Sequence, residues 1–454
     1  MSEQYGKNLS EGSVVKQLIL FALPFLASNI VQSLYNVADM LIVGNFSGTV
    51  SMSGVNIGGQ VTFILTNIVI GLCTGGTVLI AQYLGAGERR ELDETISTLM
   101  SLLLAAAVLI TSAMLILKNP VLRLIQTPAE SFDEASRYLT VTVLGVVFIF
   151  GYNALSAIMR GMGDSRRPLY FVLTACITNI VLDLVLVAKF HMGATGAAVA
   201  TVISQALSMI LCIIYLKKHN FSFDFKPSSF RFHKHKLRMI FQLGTPTAVQ
   251  NGITSFSFLI ITTLVNVIGG MYASAAVGVV SKINGFAIMP AVAMSGSVST
   301  VAAQNIGAGK WERARRTCFI GMGIAFAISV VVFGFVRFFA ADLMALFDRD
   351  AQTIAYGVEY ISTFSFDFLI VPVCFSFNGL FIASGHTGFS LLNAMLTSLL
   401  LRAPASYLFG AAMGLGILGV GMGAPIASAG GLLLSLWFYA SGRWKTNIVA
   451  TFHQ

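Results

Sequence analysis

Three acidic side chains lie deep within apolar segments of this chain, where a charge is costly. They are Asp39, Asp183 and Asp367. A charged side chain at the centre of a bilayer costs about 2.5–3.5 kcal/mol on insertion scales. Buried carboxylates of this kind commonly handle protons or metal cations, so these three residues are the first candidates for chemistry.

Asp39 shares a helix face with other polar side chains. Ser28, Gln32, Tyr35 and Asp39 recur at i, i+4, i+7 and i+11 within an otherwise apolar stretch. Residues with this spacing lie on one face of an α-helix. The pattern therefore predicts a membrane helix with one polar face.

A second polar group accompanies Asp183. Asn179 precedes it by one helical turn, and Thr201 follows in a later segment among small residues that permit close helix packing. Together with Asp39 and Tyr35, these side chains would supply two carboxylates with amide, hydroxyl and phenol oxygens. Two close carboxylates cannot both ionise cheaply at low dielectric, so such a site suits a proton or Na⁺ bound at Asp39, Asp183, Asn179 and Thr201. The alternative is that each aspartate only hydrogen-bonds a neighbouring helix.

Pro24 lies fifteen residues before Asp39, about four turns earlier on the same predicted helix. A proline inside a helix removes one backbone hydrogen bond and permits a kink. Bending at Pro24 is a candidate means of coupling protonation to cavity shape, and a static bend is the alternative.

The composition indicates the element that positions these residues. Of the 454 residues, 56% are hydrophobic and 10% are charged, against about 25% charged in soluble domains. The alternating ten-residue strands of a membrane β-barrel are not seen. We predict an all-α integral membrane protein with twelve transmembrane helices, at about 14–43, 52–83, 94–117, 132–158, 168–188, 193–216, 238–267, 273–303, 317–340, 353–381, 388–410 and 416–440.

Loop charges predict the orientation. With both termini in the cytoplasm, the cytoplasmic side holds 20 Lys and Arg residues and the opposite side holds six. The distribution of the basic residues therefore reflects membrane topology, and the net charge of +9 does not indicate a nucleic-acid partner.

No cleavable signal peptide is expected, since residues 1–13 are polar and a full-length span follows. The cysteines lie in apolar segments without paired spacing and are interpreted as buried thiols: Cys73, Cys176, Cys212, Cys318 and Cys374.

The chain contains an internal repeat. When the second half is shifted back by 222 positions, Pro246 aligns with Pro24, Asn251 with Asn29 and Gly307 with Gly85. Six spans per half give two lobes of the same orientation, which is the plan of several secondary transporters. We predict lobes at 1–216 and 238–440, a cytoplasmic linker at 217–237 and a cytoplasmic tail at 441–454. The linker is basic and dotted with phenylalanine, so it is also a candidate for contact with anionic lipid.

The second lobe offers weaker site candidates. Asp367 and Lys282 are candidates for an ion pair, although Asp367 is equally placed to lie near the outer end of its helix. Gln250 is the residue before Asn251, and span 7 contains no acid. We therefore expect ion coupling to be concentrated in the first lobe.

Several function classes are excluded by absent motifs. The glycine turns at 85–87 and 307–309 lack the Gly-Lys-Ser/Thr of a phosphate loop, so direct use of ATP is not expected. Neither His-Glu-x-x-His nor Gly-x-Ser-x-Gly is present, which argues against an intramembrane enzyme. No cofactor is expected beyond a coupling ion, H⁺ or Na⁺.

The repeated loops Ala81-Gln-Tyr-Leu-Gly-Ala-Gly87 and Ala303-Gln-Asn-Ile-Gly-Ala-Gly-Lys310, with Arg160-Gly-Met-Gly-Asp164 and twelve spans, resemble the multidrug and toxic compound extrusion (MATE) exporters. The resemblance covers essentially the whole chain. It implies a V-shaped two-lobe antiporter, driven by H⁺ or Na⁺, that exports drugs or toxic metabolites. The resemblance implies the plasma membrane as the setting, specifically a bacterial inner membrane. It also implies a monomeric transporter whose partners include membrane lipids.

Within that family, the first lobe is most similar to the branch of the DNA-damage-inducible transporters. The resemblance implies a coupling network at Tyr35, Asp39, Asn179, Asp183 and Thr201, a bending proline at Pro24, and substrate contacts at Gln32 and Asn153. The other bacterial branch uses a helix 7 glutamate and a helix 10 aspartate. This chain has no acid in span 7, and Asp367 does not align with the helix 10 position.

A lipid-linked oligosaccharide flippase of the same superfamily is the alternative function. Such flippases usually have more spans or a strongly basic central cavity. Here three deep acids stand against Lys282 and Arg402. That balance favours the handling of cations.

Overall fold

The computed structural model describes residues 5–446, which are almost entirely helical and contain no β-strand. The α-helices are α1 Val14–Ala86, α2 Arg89–Leu124, α3 Ala129–Leu144, α4 Val146–Gly161, α5 Arg166–Asp183, α6 Gly193–Lys218, α7 Lys234–Ala287, α8 Met289–Gly307, α9 Trp311–Phe338, α10 Ala340–Ala345, α11 Ala351–Phe364, α12 Asp367–Ala383, α13 Thr387–Met395, α14 Ala403–Tyr407 and α15 Gly416–Ala440. Three π-helical segments continue these helices, at Leu184–Lys189, Leu396–Arg402 and Leu408–Ala412.

Two of the helices are too long for a single crossing. The 73 residues of α1 would extend about 110 Å, against about 30 Å of hydrocarbon. Gly48 divides α1 with a non-helical backbone at φ 77° and ψ −178°, and Gly270 divides α7 at φ 63° and ψ −151°. Glycine tolerates these angles because it has no Cβ. The breaks fall between the predicted spans 14–43 and 52–83, and between 238–267 and 273–303.

Two other spans are broken by sharp bends. Helices α3 and α4 meet at 52°, and α11 and α12 meet at 48°. Seven helices of the described chain are long and apolar enough to cross a membrane, or nine when each bent pair is one span. Dividing α1 and the α7–α8 run, and adding the π-interrupted stretch from Thr387 to Ala412, gives the twelve predicted spans.

The described chain divides into two compact units. The first unit comprises residues 5–8 and 27–248, and the second comprises 9–26 and 249–446. The divisions inside α1 and α7 each fall two residues after a proline, Pro24 and Pro246. The predicted lobe boundaries at 216 and 238 stay a prediction. Residues 447–454 of the predicted tail lie outside the described residues.

The segment between α6 and α7 is packed against the first unit. The hydroxyl of Ser97 donates to the carbonyl of Ser229 at 2.6 Å and accepts from the backbone N–H of Arg231 at 3.0 Å. At the start of α7, the ammonium of Lys236 is buried, donates to the Tyr83 hydroxyl at 2.7 Å and pairs with Glu91. Through these contacts the segment between α6 and α7 is attached to the first unit.

All five cysteines are free thiols, as predicted. Four of them are buried and Cys374 is partly buried. They act as small apolar side chains within the helix packing.

Candidate functional site

The first unit brings together the polar residues of three spans. Tyr35 and Asp39 lie on the first span of α1, Asn179 and Asp183 lie near the end of α5, and Thr201 lies on α6. Close packing of α6 is possible because its first turns carry small, fully buried residues, among them Ala197, Ala198 and Ala200.

The two carboxyl groups are buried and adjacent. Asp183 is fully buried and Asp39 is 9% exposed. Their side chains lie close enough to interact directly. Two carboxylates this close cannot both ionise cheaply at low dielectric, so the arrangement suits a pair that shares one proton.

Asn179 connects this pair to α6. Its amide orientation is assigned from its partners: the nitrogen donates to Asp183 Oδ2 at 2.7 Å, and the oxygen accepts from the backbone N–H of Thr201 at 3.1 Å. The opposite orientation would set the amide oxygen against the carboxylate. The Tyr35 hydroxyl lies 3.0 Å from Thr201 Oγ1 and closes the network back to α1.

Each aspartate keeps one oxygen available. Oδ1 of Asp39 and Oδ1 of Asp183 are buried and have no hydrogen-bond partner among residues 5–446. An unsatisfied buried acceptor costs about 1–3 kcal/mol. Binding of a proton or a cation at these atoms would offset that cost without breaking the bonds made by Asn179 and Thr201.

Two features beside the pair are absent from the sequence prediction. The π-helical segment Leu184–Lys189 begins directly after Asp183, and such segments occur often at functional sites. Tyr138 of α3 is buried in one cluster with Val43 and Val187, each of which lies four residues after one of the two aspartates. Its repeat counterpart, Tyr360, is the one sequence signal that would have identified it.

The other first-lobe candidates lie apart from these hydrogen bonds. Gln32 is exposed on α1, two turns before Asp39. Asn153 is partly buried on α4, and its amide donates to the carbonyl of Ile149 in its own helix at 2.8 Å. Pro24 lies inside the first span of α1.

In the second unit, Asp367 and Lys282 do not form the ion pair that the sequence suggested. Lys282 is exposed, and its ammonium lies 5.8 Å from the ring centroid of Phe347. Among the described residues it forms no ion pair with Asp367, which is the first residue of α12 and has Arg402 as its neighbouring cation. Lys282 and Asp367 are therefore not paired in the described structure. Gln250 is partly buried on α7, with its side-chain oxygen unpartnered among the described residues.

Comparison with known proteins decides the family. The MatE family model matches this chain twice, at residues 24–185 and 246–408. This chain belongs to the MATE family. The two matches begin at Pro24 and Pro246, which confirms the internal repeat. As a MATE protein the chain is a multi-pass membrane transporter and not an enzyme, and the family needs no cofactor.

Individual relatives agree with this assignment. The probable multidrug resistance protein YpnP of Bacillus subtilis is 28% identical over 443 residues, which are 96% of this chain and 97% of the relative. A multidrug resistance MATE family transporter of the MOP superfamily, solved in an outward-facing conformation, shares the fold with a TM-score of 0.90 at 24% identity, covering 97% of this chain and 100% of that chain.

The branch within the family is less firmly supported. DNA damage-inducible protein F of Escherichia coli is 29% identical over 207 residues, but these are 45% of this chain and 44% of the relative. The branch assignment therefore remains a proposal.

Proposed function

We propose that this MATE transporter is a secondary active multidrug exporter, which moves amphipathic and often cationic compounds outward by alternating access in exchange for H⁺ or Na⁺. The family and the name of the relative YpnP support multidrug export. The same findings do not favour the flippase alternative. Two buried carboxylates in one unit also suit cations better than anionic lipid-linked sugars.

The coupling site is the network of Asp39, Asp183, Asn179, Thr201 and Tyr35. The single observation that carries this proposal is the pair of neighbouring buried carboxyl groups of Asp39 and Asp183, with the Asn179 amide nitrogen 2.7 Å from Asp183 Oδ2. A pair that shares a proton favours H⁺ as the coupling ion. Na⁺ is the second candidate, because the oxygens of Asp39, Asp183, Asn179 and Thr201 are hard ligands that also suit a small cation.

Competition for the carboxyl pair would drive the exchange. When the pair is ionised, it attracts a cationic substrate, whose contacts include Gln32 and Asn153. Protonation neutralises the pair and removes that attraction, so the substrate leaves toward the side that supplies protons. Each ion is thus released because the other binds.

Bending of α1 at Pro24 is the proposed conformational partner of this exchange. The proline lacks the N–H of a regular helical hydrogen bond, which lowers the cost of bending there. The division between the two units also falls between Leu26 and Ala27, two residues after this proline. A helix whose two parts pack in different units is well placed to bend at that point.

The proposed setting follows from the loop charges. Residues 1–216 and 238–440 form the two lobes of a monomer in the plasma membrane, with both termini and the tail 441–454 in the cytoplasm. The linker 217–237 lies at the cytoplasmic face, where the exposed Lys217 and Lys218 attract anionic lipid headgroups.

The test is transport in proteoliposomes with H⁺ and Na⁺ gradients imposed separately. We expect the wild type to move ethidium under an H⁺ gradient, and both Asp39→Asn and Asp183→Asn to lose at least nine-tenths of that rate. Asp133→Asn, an exposed aspartate of the same unit, is the matched control and should transport normally.

Normal gradient-driven transport by both Asp39→Asn and Asp183→Asn would exclude this coupling site. Transport driven by Na⁺ and not by H⁺ would keep the site and replace the ion.

A further inference from the structure

The three tryptophans of the chain lie together at one end of the second unit. Trp311 begins α9, Trp437 lies in the last turn of α15, and Trp444 follows the end of that helix. The ring centroids of Trp311 and Trp444 are 6.0 Å apart, and the guanidinium carbon of Arg443 lies 6.0 Å from the ring centroid of Trp437. Tryptophan is enriched where the hydrocarbon of a bilayer meets the headgroups, so this group, which we call the tryptophan patch, marks a membrane interface.

The segment after α15 has a fixed backbone. Gly442 adopts a left-handed conformation at φ 71°, which glycine tolerates, and turns the chain out of the helix. The Trp444 side chain is 1% exposed, and its ring stacks on that of Tyr439 with the centroids 5.5 Å apart. Because Trp444 is held in this way, Arg443 and Lys445 are presented on either side of it, and both are exposed.

Helix α9 adds a third cation to the patch. Trp311, Arg315 and Phe319 are spaced by four residues and therefore share one helix face. The ring of Trp311 lies against that of Trp444, and the ring centroid of Phe319 lies 5.6 Å from that of Tyr439. Arg315, between the two, thus lies on the face of α9 that is turned toward the end of α15, and it is exposed.

The positive charge of the patch is not balanced within the part of the chain that the structure describes. Neither Arg443 nor Lys445 forms an ion pair with an acid among residues 5–446. Arg315 pairs with Glu312 at 3.2 Å, but the two side chains are 48% and 69% exposed, and such a pair contributes little. Guanidinium and ammonium groups suit phosphate oxygens, so the patch is complementary to an anionic phosphate.

Exposed apolar side chains lie directly beside these cations. Leu433 and Trp437 are one turn apart on one face of α15, and they are 68% and 58% exposed. Arg443 lies over the ring of Trp437 and so continues this apolar face with a positive charge. A soluble phosphate would satisfy only the cations, whereas a phospholipid would also cover the apolar face with its acyl chain.

We infer that the tryptophan patch binds an anionic phospholipid, with its phosphate at Arg443 and Lys445 and an acyl chain along Leu433 and Trp437. Arg315 supplies further positive charge at the headgroup. The lipid would hold the segment after α15 in place, because its phosphate bonds to the cations on both sides of the buried tryptophan. This binding is independent of the coupling ion and of the exported compound, and it is separate from the lipid contact proposed for the linker.

Intrinsic tryptophan fluorescence measures this binding, since every tryptophan of the chain lies in the patch. The purified full-length protein is placed in phosphatidylcholine nanodiscs in which a minor fraction of the lipid carries bromine on its acyl chains. That fraction is phosphatidylglycerol in one series and phosphatidylcholine in the other. Bromine quenches tryptophan at short range, so we expect quenching to report an association of phosphatidylglycerol at least about fivefold stronger than that of phosphatidylcholine.

Removal of the two cations tests the site. In Arg443→Gln/Lys445→Gln the preference for phosphatidylglycerol should disappear, because each cation near a membrane surface attracts an anionic headgroup. Arg443→Lys/Lys445→Arg keeps both charges and should keep the preference, which separates loss of the site from misfolding. Lys217→Gln/Lys218→Gln is the matched control, since it removes two adjacent exposed cations of the linker and should leave the preference unchanged.

Equal quenching by the two brominated lipids in the wild type, or an undiminished preference in Arg443→Gln/Lys445→Gln, would overturn the inference. An equal loss of preference in Lys217→Gln/Lys218→Gln would also overturn it, because the attraction would then come from net charge alone. Relief of the quenching by millimolar glycerol phosphate would assign the patch to a soluble phosphate instead of a lipid.

Discussion

The carboxyl groups of Asp39 and Asp183 are held from several directions, and each contact has a separate physical role. Asn179 fixes the position of Asp183, and the hydroxyl groups of Thr201 and Tyr35 fix α6 to α1. Replacement of a residue that positions the carboxyl groups should therefore weaken coupling by changing their geometry, while the two carboxyl groups themselves are kept.

Replacement of Tyr35 tests this positioning role. Tyr35→Phe removes the hydroxyl that lies 3.0 Å from Thr201 Oγ1 and keeps the ring. Loss of one such hydrogen bond costs about 0.5–1.5 kcal/mol, so we expect transport to fall by about two- to tenfold at a saturating gradient. Transport of ethidium in proteoliposomes measures the effect.

Tyr170→Phe is the control, because Tyr170 is exposed in the same unit and more than half of its surface is accessible. Equal transport rates for Tyr35→Phe and the wild type would show that the hydroxyl bridge has no part in positioning α1.

Residue spacing predicted which first-lobe side chains meet, because turn periodicity places Tyr35 with Asp39 and Asn179 with Asp183. It did not predict Tyr138, which lies on a different helix and has its repeat counterpart Tyr360 as its sequence signal.

At the scale of elements, the second span of α1 packs closely against the start of α7 within the first unit. A Cβ added at Gly75 would lie 2.8 Å from the backbone nitrogen of Gly244 and 2.8 Å from the carbonyl oxygen of Ile240. Both obstacles are backbone atoms, so the two helices would have to separate. This contact explains why glycine occupies position 75.

Gly75→Ala is therefore expected to destabilise the protein by about 1–3 kcal/mol, the usual cost of overpacking. Thermal unfolding in detergent measures the change. Gly59→Ala is the control, since nothing lies within 4 Å of a Cβ at Gly59 in the same helix. If Gly75→Ala and Gly59→Ala unfold at the same temperature, the close approach is not a constraint on stability.

Helix existence was predictable, but helix irregularity was not. Long apolar runs bounded by polar loops indicate spans whatever their internal shape. The bends at the α3–α4 and α11–α12 junctions, and the π-helical segment after Asp183, occur inside continuous apolar sequence. The apolar pattern that predicts a span carries no signal for where such an irregularity falls.

At the scale of the molecule, the two halves of the repeat share the prolines and other backbone features but not the ionisable residues of the candidate site. Pro24 and Pro246 both precede a division between the units, and Tyr138 and Tyr360 occupy matching positions. Asp39, by contrast, is matched by Ile261. Duplication preserved the backbone features of each half, while the polar groups diverged.

The proposed orientation can be tested with single cysteines on a cysteine-free background, since four of the native thiols are buried and Cys374 is partly buried. In intact cells a membrane-impermeant maleimide should label Arg123→Cys and should not label Lys217→Cys; both positions are exposed in the structure. The 20-to-six distribution of Lys and Arg is the physical reason.

Permeabilised cells provide the control, because both positions should then be labelled. Labelling of Lys217→Cys and not of Arg123→Cys in intact cells would mean that the chain is inserted in the opposite orientation.

The most direct test of the central claim is proton release on substrate binding by the purified protein, followed with a pH-sensitive dye in weakly buffered detergent solution. If Asp39 and Asp183 share the coupling proton, ethidium should release protons from the wild type and from Asp367→Asn, and from neither Asp39→Asn nor Asp183→Asn. Equal proton release by the wild type and both first-unit variants would contradict the account.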